Sequence, residues 1–220
     1  MNLATIQSAA KAHALDIFGA FHITNDDHAP VGTKTLILLG PLEPGFWAHF
    51  TAQPENLDGQ PDPIDRWSTR VLNQLAQGLA ATALFPFGGP PYQPFISWAM
   101  RSGRCWQSPA GPLVHDTAGM MVSYRGALAF KEKLDLPDTP PNPCDTCTDK
   151  PCLTTCPVNA LGPAGYDTDA CHAYLDAPSG LDCMTQGCAA RRACPVSQTY
   201  GRLAEQSAFH MRSFHPCPSY

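Results

Sequence analysis

Cys144-Asp-Thr-Cys147-Thr-Asp-Lys-Pro-Cys152-Leu-Thr-Thr-Cys156-Pro157 is the stretch that decides how this chain is organised. Its spacing is C-x2-C-x4-C-x3-C-P. A second run, Cys183-Met-Thr-Gln-Gly-Cys188-Ala-Ala-Arg-Arg-Ala-Cys194-Pro195, has spacing C-x4-C-x5-C-P, and Cys171 lies between the two. Eight of the ten cysteines in 220 residues thus fall between Cys144 and Cys194. The N-terminus has no basic start, apolar stretch or small-residue cleavage site, so a cytoplasmic, reducing setting is expected. Clustered thiols in that setting point to metal more than to disulfides.

Three chemistries compete for these thiols. Structural zinc favours two short pairs separated by a long loop, whereas the first four cysteines here fall within 13 residues. A disulfide framework needs an oxidising compartment. The bacterial ferredoxin run C-x2-C-x2-C-x3-C-P sends three thiolates to one cubane and the fourth to another. The present run is that pattern with two residues inserted before its third cysteine, so iron–sulfur is the favoured reading. Two Cys-Pro endings imply two [4Fe–4S] clusters. By the crossed ferredoxin arrangement, Cys144, Cys147, Cys152 and Cys194 hold one, and Cys156, Cys171, Cys183 and Cys188 hold the other. The competing reading of Cys171 is a small buried hydrophobe. Cys105 and Cys217 read as a packed thiol and a tail residue. His210 and His215 near Cys217 read as part of a solvated tail.

Composition narrows the partners. Charged residues are 15% of the chain, against roughly 25% in an ordinary soluble domain. The net charge of −5 is not segregated along the chain, and Arg191-Arg192 is the one adjacent basic pair. Binding to nucleic acid needs clustered cations that release counterions, so no nucleic acid partner is expected. No apolar run approaches the ~18 residues of a membrane helix, so no membrane partner is expected either.

Upstream of the cysteines the pattern alternates between helix and strand. Leu3, Ile6, Ala10, Ala14 and Ile17 recur near helical spacing, with Gly19 as the end of that helix. Phe21–Thr24 and Thr35–Leu39 read as strands, the latter an interior one because Leu36-Ile37-Leu38-Leu39 is continuously apolar. Asp62-Pro63 begins a helix, with Asp62 as cap and Pro63 in its first turn. Ile64, Trp67, Val71, Leu72, Leu75 and Leu79 form its face, and it should end near Leu84. Phe95–Met100 is a shorter helix, and Gly119–Phe130 has strand composition with a bulge at Gly126. Asp135–Pro143 is a proline-rich connector. The expected organisation is α+β, with an α/β domain over residues 1–138 and a two-cluster domain over residues 139–220.

Cys144–Pro195 resembles the double-cluster module of epoxyqueuosine reductases and corrinoid-dependent reductive dehalogenases. Cys-Pro-Val-Asn-Ala-Leu at 156–161 and Cys171-His-Ala-Tyr-Leu175 are similar to that family's segments after the first run. Phe95–Trp106 and His115-Asp-Thr-Ala-Gly119-Met-Met-Val-Ser-Tyr124-Arg125-Gly126 resemble the stretch these proteins use as a corrinoid pocket, with a similar segment in cobalamin-processing proteins of the CblC type. The resemblance implies a nitroreductase-like N-terminal domain carrying cobalamin and a bacterial two-cluster ferredoxin-like domain feeding it electrons. It implies Trp98, Trp106, Met120 and Met121 as pocket walls and His115 and Arg125 at the rim. The plainer readings of the last two are a strand-end histidine and a solvated arginine.

The chain also departs from the family. Where epoxyqueuosine reductases carry a proton-donating aspartate, Gly88-Gly89-Pro90-Pro91 has no acid. Tyr124 is the nearby residue able to donate a proton in its place, against a plain buried aromatic. Asp26-Asp27-His28-Ala-Pro-Val-Gly32 comes close to a cobalt-ligating D-x-H-x-x-G, but its glycine is one residue late and a turn explains it. The expected function is an iron–sulfur oxidoreductase that relays single electrons to a corrinoid or another acceptor for reduction of a small molecule. A ferredoxin or flavodoxin is the expected donor. The alternatives are a non-catalytic electron-transfer or corrinoid-handling protein and a flavin-binding reductase.

Overall fold

The computed structural model describes residues 1–216, so Cys217 lies outside the described residues. In chain order the elements are α1 (Leu3–Lys11), β1 (Leu15–His22), β2 (Thr35–Pro41), α2 (Phe46–Thr51), α3 (Pro54–Leu57), α4 (Pro63–Gly78), β3 (Thr82–Leu84), α5 (Phe95–Arg101), β4 (Cys105–Gln107), β5 (Leu113–His115), β6 (Gly126–Phe130), β7 (Leu161–Gly162), β8 (Gly165–Tyr166), α6 (Thr168–Leu175), α7 (Leu181–Gln186), α8 (Ala189–Ala193), α9 (Pro195–Thr199) and α10 (Ala204–Phe214). The chain is a mixture of helix and strand and divides into two compact units. The first contains residues 1–105 and 123–140, and the second residues 106–122 and 141–220. Among the described residues no helix is long and apolar enough to cross a membrane.

The first unit is built on an antiparallel sheet in the order β1-β2-β6-β3. β2 is interior and all seven of its residues are buried. Its continuous apolar run is what a strand covered on both faces requires. α4 packs on β3 and β6, and its buried face comprises Ile64, Trp67, Val71, Leu72 and Leu75. Pro63 begins α4, where its missing N–H costs nothing, but Asp62 adopts a left-handed conformation and makes no side-chain cap. Trp67 packs edge-on against Phe46 and Phe50, with ring centroids 5.5 and 5.9 Å away.

Several boundaries differ from the sequence reading. α1 stops at Lys11, because Ala14 at φ 52° turns the chain into β1. Leu15, Ile17, Phe18 and Phe21 are then buried from a strand. α4 stops at Gly78, and Leu84 belongs to β3, where pairing with β6 outweighs local helix preference. The bulge lies in β1, where the register shifts between Ile17 and Gly19; β6 pairs with β2 without interruption. Gly126 has a different task. A Cβ there would lie 2.2 Å from Leu72 and 2.7 Å from the Leu84 carbonyl, so only glycine lets helix and strands approach so closely.

The second unit consists of short pieces. β4 pairs with β5, β7 pairs with β8, and the helices run from five to eleven residues. Residues 106–122 belong to this unit rather than to the domain assigned to residues 1–138. Long-range contacts tie them there. Ser197 Oγ accepts from the Met120 N–H at 2.9 Å, Arg191 donates to the Met120 and Val122 carbonyls, and Arg202 donates to that of Met121.

Candidate metal centre

In the second unit one cavity is lined by Cys144, Cys147, Cys152 and Cys194. Three of these come from the first cysteine run and the fourth from the end of the second. Cys194 is carried to the cavity by the break between α8 and α9: it ends one helix and begins the next, with Pro195 in the first turn of α9. That is a local reason for the Cys-Pro pair, since proline fits a helix start and cannot continue the preceding helix. The rest of the wall includes Ser108, Val114 and Met120, all from residues 106–122. Cys152 and Cys194 are buried, while Cys144 and Cys147 are partly exposed. Burial and the three neighbouring thiols push the Cys144 thiol up to about 11. Burial and the nearby Cys194 and Cys147 thiols likewise raise Cys152, and the Cys152 and Ala110 N–H groups pull it back. Four thiols that repel one another as anions form a donor set suited to a cationic centre.

The remaining four cysteines gather elsewhere in the same unit. Cys171 feels the charges of Cys188 and Cys156, Cys183 feels that of Cys188, and Tyr166 stands near Cys171, Cys188 and Cys156. Cys171 is raised first by burial, and a hydrogen bond from the Tyr166 hydroxyl lowers it. That hydroxyl donates to Cys171 Sγ at 3.2 Å, and the Ala160 N–H donates to Cys156 Sγ at 3.3 Å. Burial and the nearby thiols push the Tyr166 phenol up. Cys105 is a buried thiol outside both groups. None of the nine described cysteines is in a disulfide.

Among the described residues no three His, Cys, Asp or Glu side chains close on a single ion. A cubane makes a different demand, one thiolate at each of four iron corners. The cavity bounded by four separate cysteines fits that donor set.

The six residues expected around a corrinoid are divided between the units. Trp98 and Arg125 are in the first; Trp106, His115, Met120 and Met121 are in the second. Trp98 is fully buried, packs on Phe95, and donates from Nε1 to the Asp27 carbonyl at 2.8 Å. Asp27 in turn pairs with Arg101 and accepts from Thr24, which fits the turn reading of 26–32. Arg125 is buried rather than solvated, with Nη1 3.7 Å from the Asp65 carboxylate. His115 is fully buried, and its Nδ1 accepts from the N–H groups of Thr117 and Ala118. The Asp116 carboxylate stands 3.1 Å from the same nitrogen. Met120 faces the first cysteine cavity, Met121 is buried, and Trp106 packs on the cluster containing Met120. Within neither unit do the six form one wall. Tyr124 is half-buried, with its ring near Phe18 and Phe95 at 6.2 and 6.5 Å.

Sequence reasoning missed the participation of residues 106–122 in the cysteine cavity. Gly119 is the signal that was available. At φ 56° it accepts and donates in a tight pair with His115, and a Cβ would lie 2.4 Å from the Ser197 amide nitrogen. His215 is tied to Asp176 at 2.8 Å and packs on His172, so it is not part of a loose tail. Comparisons with protein-family models, curated proteins and solved structures found no match.

Proposed function

We propose that this chain is an iron–sulfur oxidoreductase component that relays single electrons through two [4Fe–4S] clusters in its second unit. The observation that carries the reading is the convergence of Cys194 with Cys144, Cys147 and Cys152 on one cavity. The grouping of Cys156, Cys171, Cys183 and Cys188 supports a second centre. When bound, each cluster takes up and releases one electron at a time at a potential tuned by its surroundings. The chain supplies the thiolates that hold it. Val114 and Met120 supply an apolar wall that limits water at the first set. A reducing, cytoplasmic location and a ferredoxin- or flavodoxin-like donor go with this reading.

The acceptor is a reducible small molecule, and the resemblance of the sequence makes a corrinoid the first to try. Because the six expected pocket residues do not gather within one unit, no step is assigned to a corrinoid. The relay stands without it. The test begins with anaerobically purified protein, which should hold about eight irons and eight acid-labile sulfides per chain. Stoichiometric zinc without sulfide would sink the reading. Dithionite-reduced protein should then change the absorption of added cob(II)alamin; an unchanged spectrum with fully loaded protein removes the corrinoid and leaves the relay.

A further inference from the structure

The two cysteine groups are dressed differently. At the first, the Cys152 and Ala110 N–H groups act on Cys152, and among the described residues no side-chain hydroxyl does. At the second, the Ala160 N–H donates to Cys156, the Ala189 N–H acts on Cys183, and the Tyr166 hydroxyl donates to Cys171. The Tyr166 ring stacks on Phe214 with centroids 6.1 Å apart, which fixes the phenol in place.

Arg191 adds a charge to this asymmetry. It lies on α8, between Cys188 and Cys194. Its guanidinium donates to the main-chain carbonyls of Met120 and Val122, and among the described residues no carboxylate pairs with it. The neighbouring groups able to carry negative charge are the Cys188 thiol and the Tyr166 phenol. A desolvated cation held by carbonyls alone is costly unless an anion stands near it. A thiolate-ligated cluster supplies that anion, and reduction adds one more negative charge to it. Donors to sulfur and a fixed cation favour the reduced form and raise the potential.

We propose that Tyr166 and Arg191 set the potential of the centre held by Cys156, Cys171, Cys183 and Cys188 above that of the other. An electron entering the pair comes to rest there. This rests on the two-cluster reading. One electron moves per centre, from dithionite in the test below. No protein bond breaks, and Tyr166 keeps its hydroxyl proton. Both are positioning residues, acting on the centre through charge and hydrogen bonding.

The test is a dithionite titration of the full chain followed by electron paramagnetic resonance. The second centre is identified as the signal lost in Cys156→Ala. In the parent it should reduce first. Tyr166→Phe and Arg191→Gln should each lower its reduced-to-oxidised ratio at fixed potential about tenfold, about 59 mV for one electron. The first centre should not move, and Arg191→Lys should keep most of the parent behaviour. The inference is overturned if both variants titrate like the parent, if the shift falls on the signal lost in Cys194→Ala, or if the first centre reduces first. Should Arg191→Gln lose iron, Tyr166→Phe alone decides. Failure of the cluster reading is distinct, because it shows before any titration as protein without labile sulfide.

Discussion

In the first unit β2 buries seven consecutive residues and α4 runs sixteen residues along the sheet. In the second, helices of at most eleven residues and strands of two or three are gathered around cysteines. Its buried cluster comprises Ala110, Val114, Met120, Cys152, Leu161, Ala190 and Cys194, with Cys144, Cys156 and Cys188 packed against it. One unit buries large hydrocarbon side chains such as Trp67, Phe46 and Phe50. The other buries thiols among alanines and a few aliphatic side chains such as Val114, Met120 and Leu161. Short elements with little apolar area need a staple, and a metal centre is a common one. On the proposed cluster reading the two units are stabilised by different means, so treatments that damage one should spare the other.

Iron removal should separate them most sharply. Chelation under mild oxidation is expected to strip amide protection from residues 141–216 while β2 and β6 stay protected, as hydrogen exchange would read. Equal loss in both units would break the comparison. Trp67→Ala should act in reverse, costing about 3–5 kcal/mol in the first unit through the cavity it leaves. Denaturant melts would show this, with iron content unchanged. Gly119→Ala should cost about 1–3 kcal/mol in the second unit, since alanine is strained at positive φ and its methyl would strike Ser197. Faster iron loss to a chelator is its readout.

The smallest effect is electrostatic and belongs to the first unit. The Arg70 guanidinium beside Glu55 holds that carboxyl below its ordinary value. Its folded pKa is thus lower than its unfolded one. The stabilisation is present above the unfolded value, about 4.3, and fades as pH falls through the folded value. Arg70→Gln should therefore lose up to about 1 kcal/mol near neutral pH. Its denaturation midpoint should converge with the parent's only as pH falls from the carboxyl's ordinary value to below its lowered folded one. A gap that widened in acid would contradict the assignment.

Legibility followed the range of the interactions. α4 and β2 were readable because their apolar spacing is local: Ile64, Trp67 and Val71 mark a helix, and Leu36–Leu39 a buried strand. The mixed α and β character followed from such segments. β3 was not readable, because Leu84 sits in a strand only through pairing with Ala127, far along the chain. Helical spacing from Leu3 to Ile17 misled for a related reason: Leu15 and Ile17 are apolar to suit a sheet. At the site, cysteine density and spacing were visible in the chain. The membership of residues 106–122 in the second unit was not, since it depends on Gly119 meeting Ser197 and on arginines reaching back from α8 and beyond.

The central claim is that the second unit holds two separate centres with ligands exchanged between the cysteine runs. Cys194→Ala and Cys156→Ala test it most directly, each examined by electron paramagnetic resonance after anaerobic reduction. Cys194→Ala should abolish the signal that Cys144→Ala also abolishes and leave the other intact, although Cys194 lies far along the chain from Cys144. Cys156→Ala should abolish the opposite signal. Loss of the same signal in Cys144→Ala and Cys156→Ala would contradict the account.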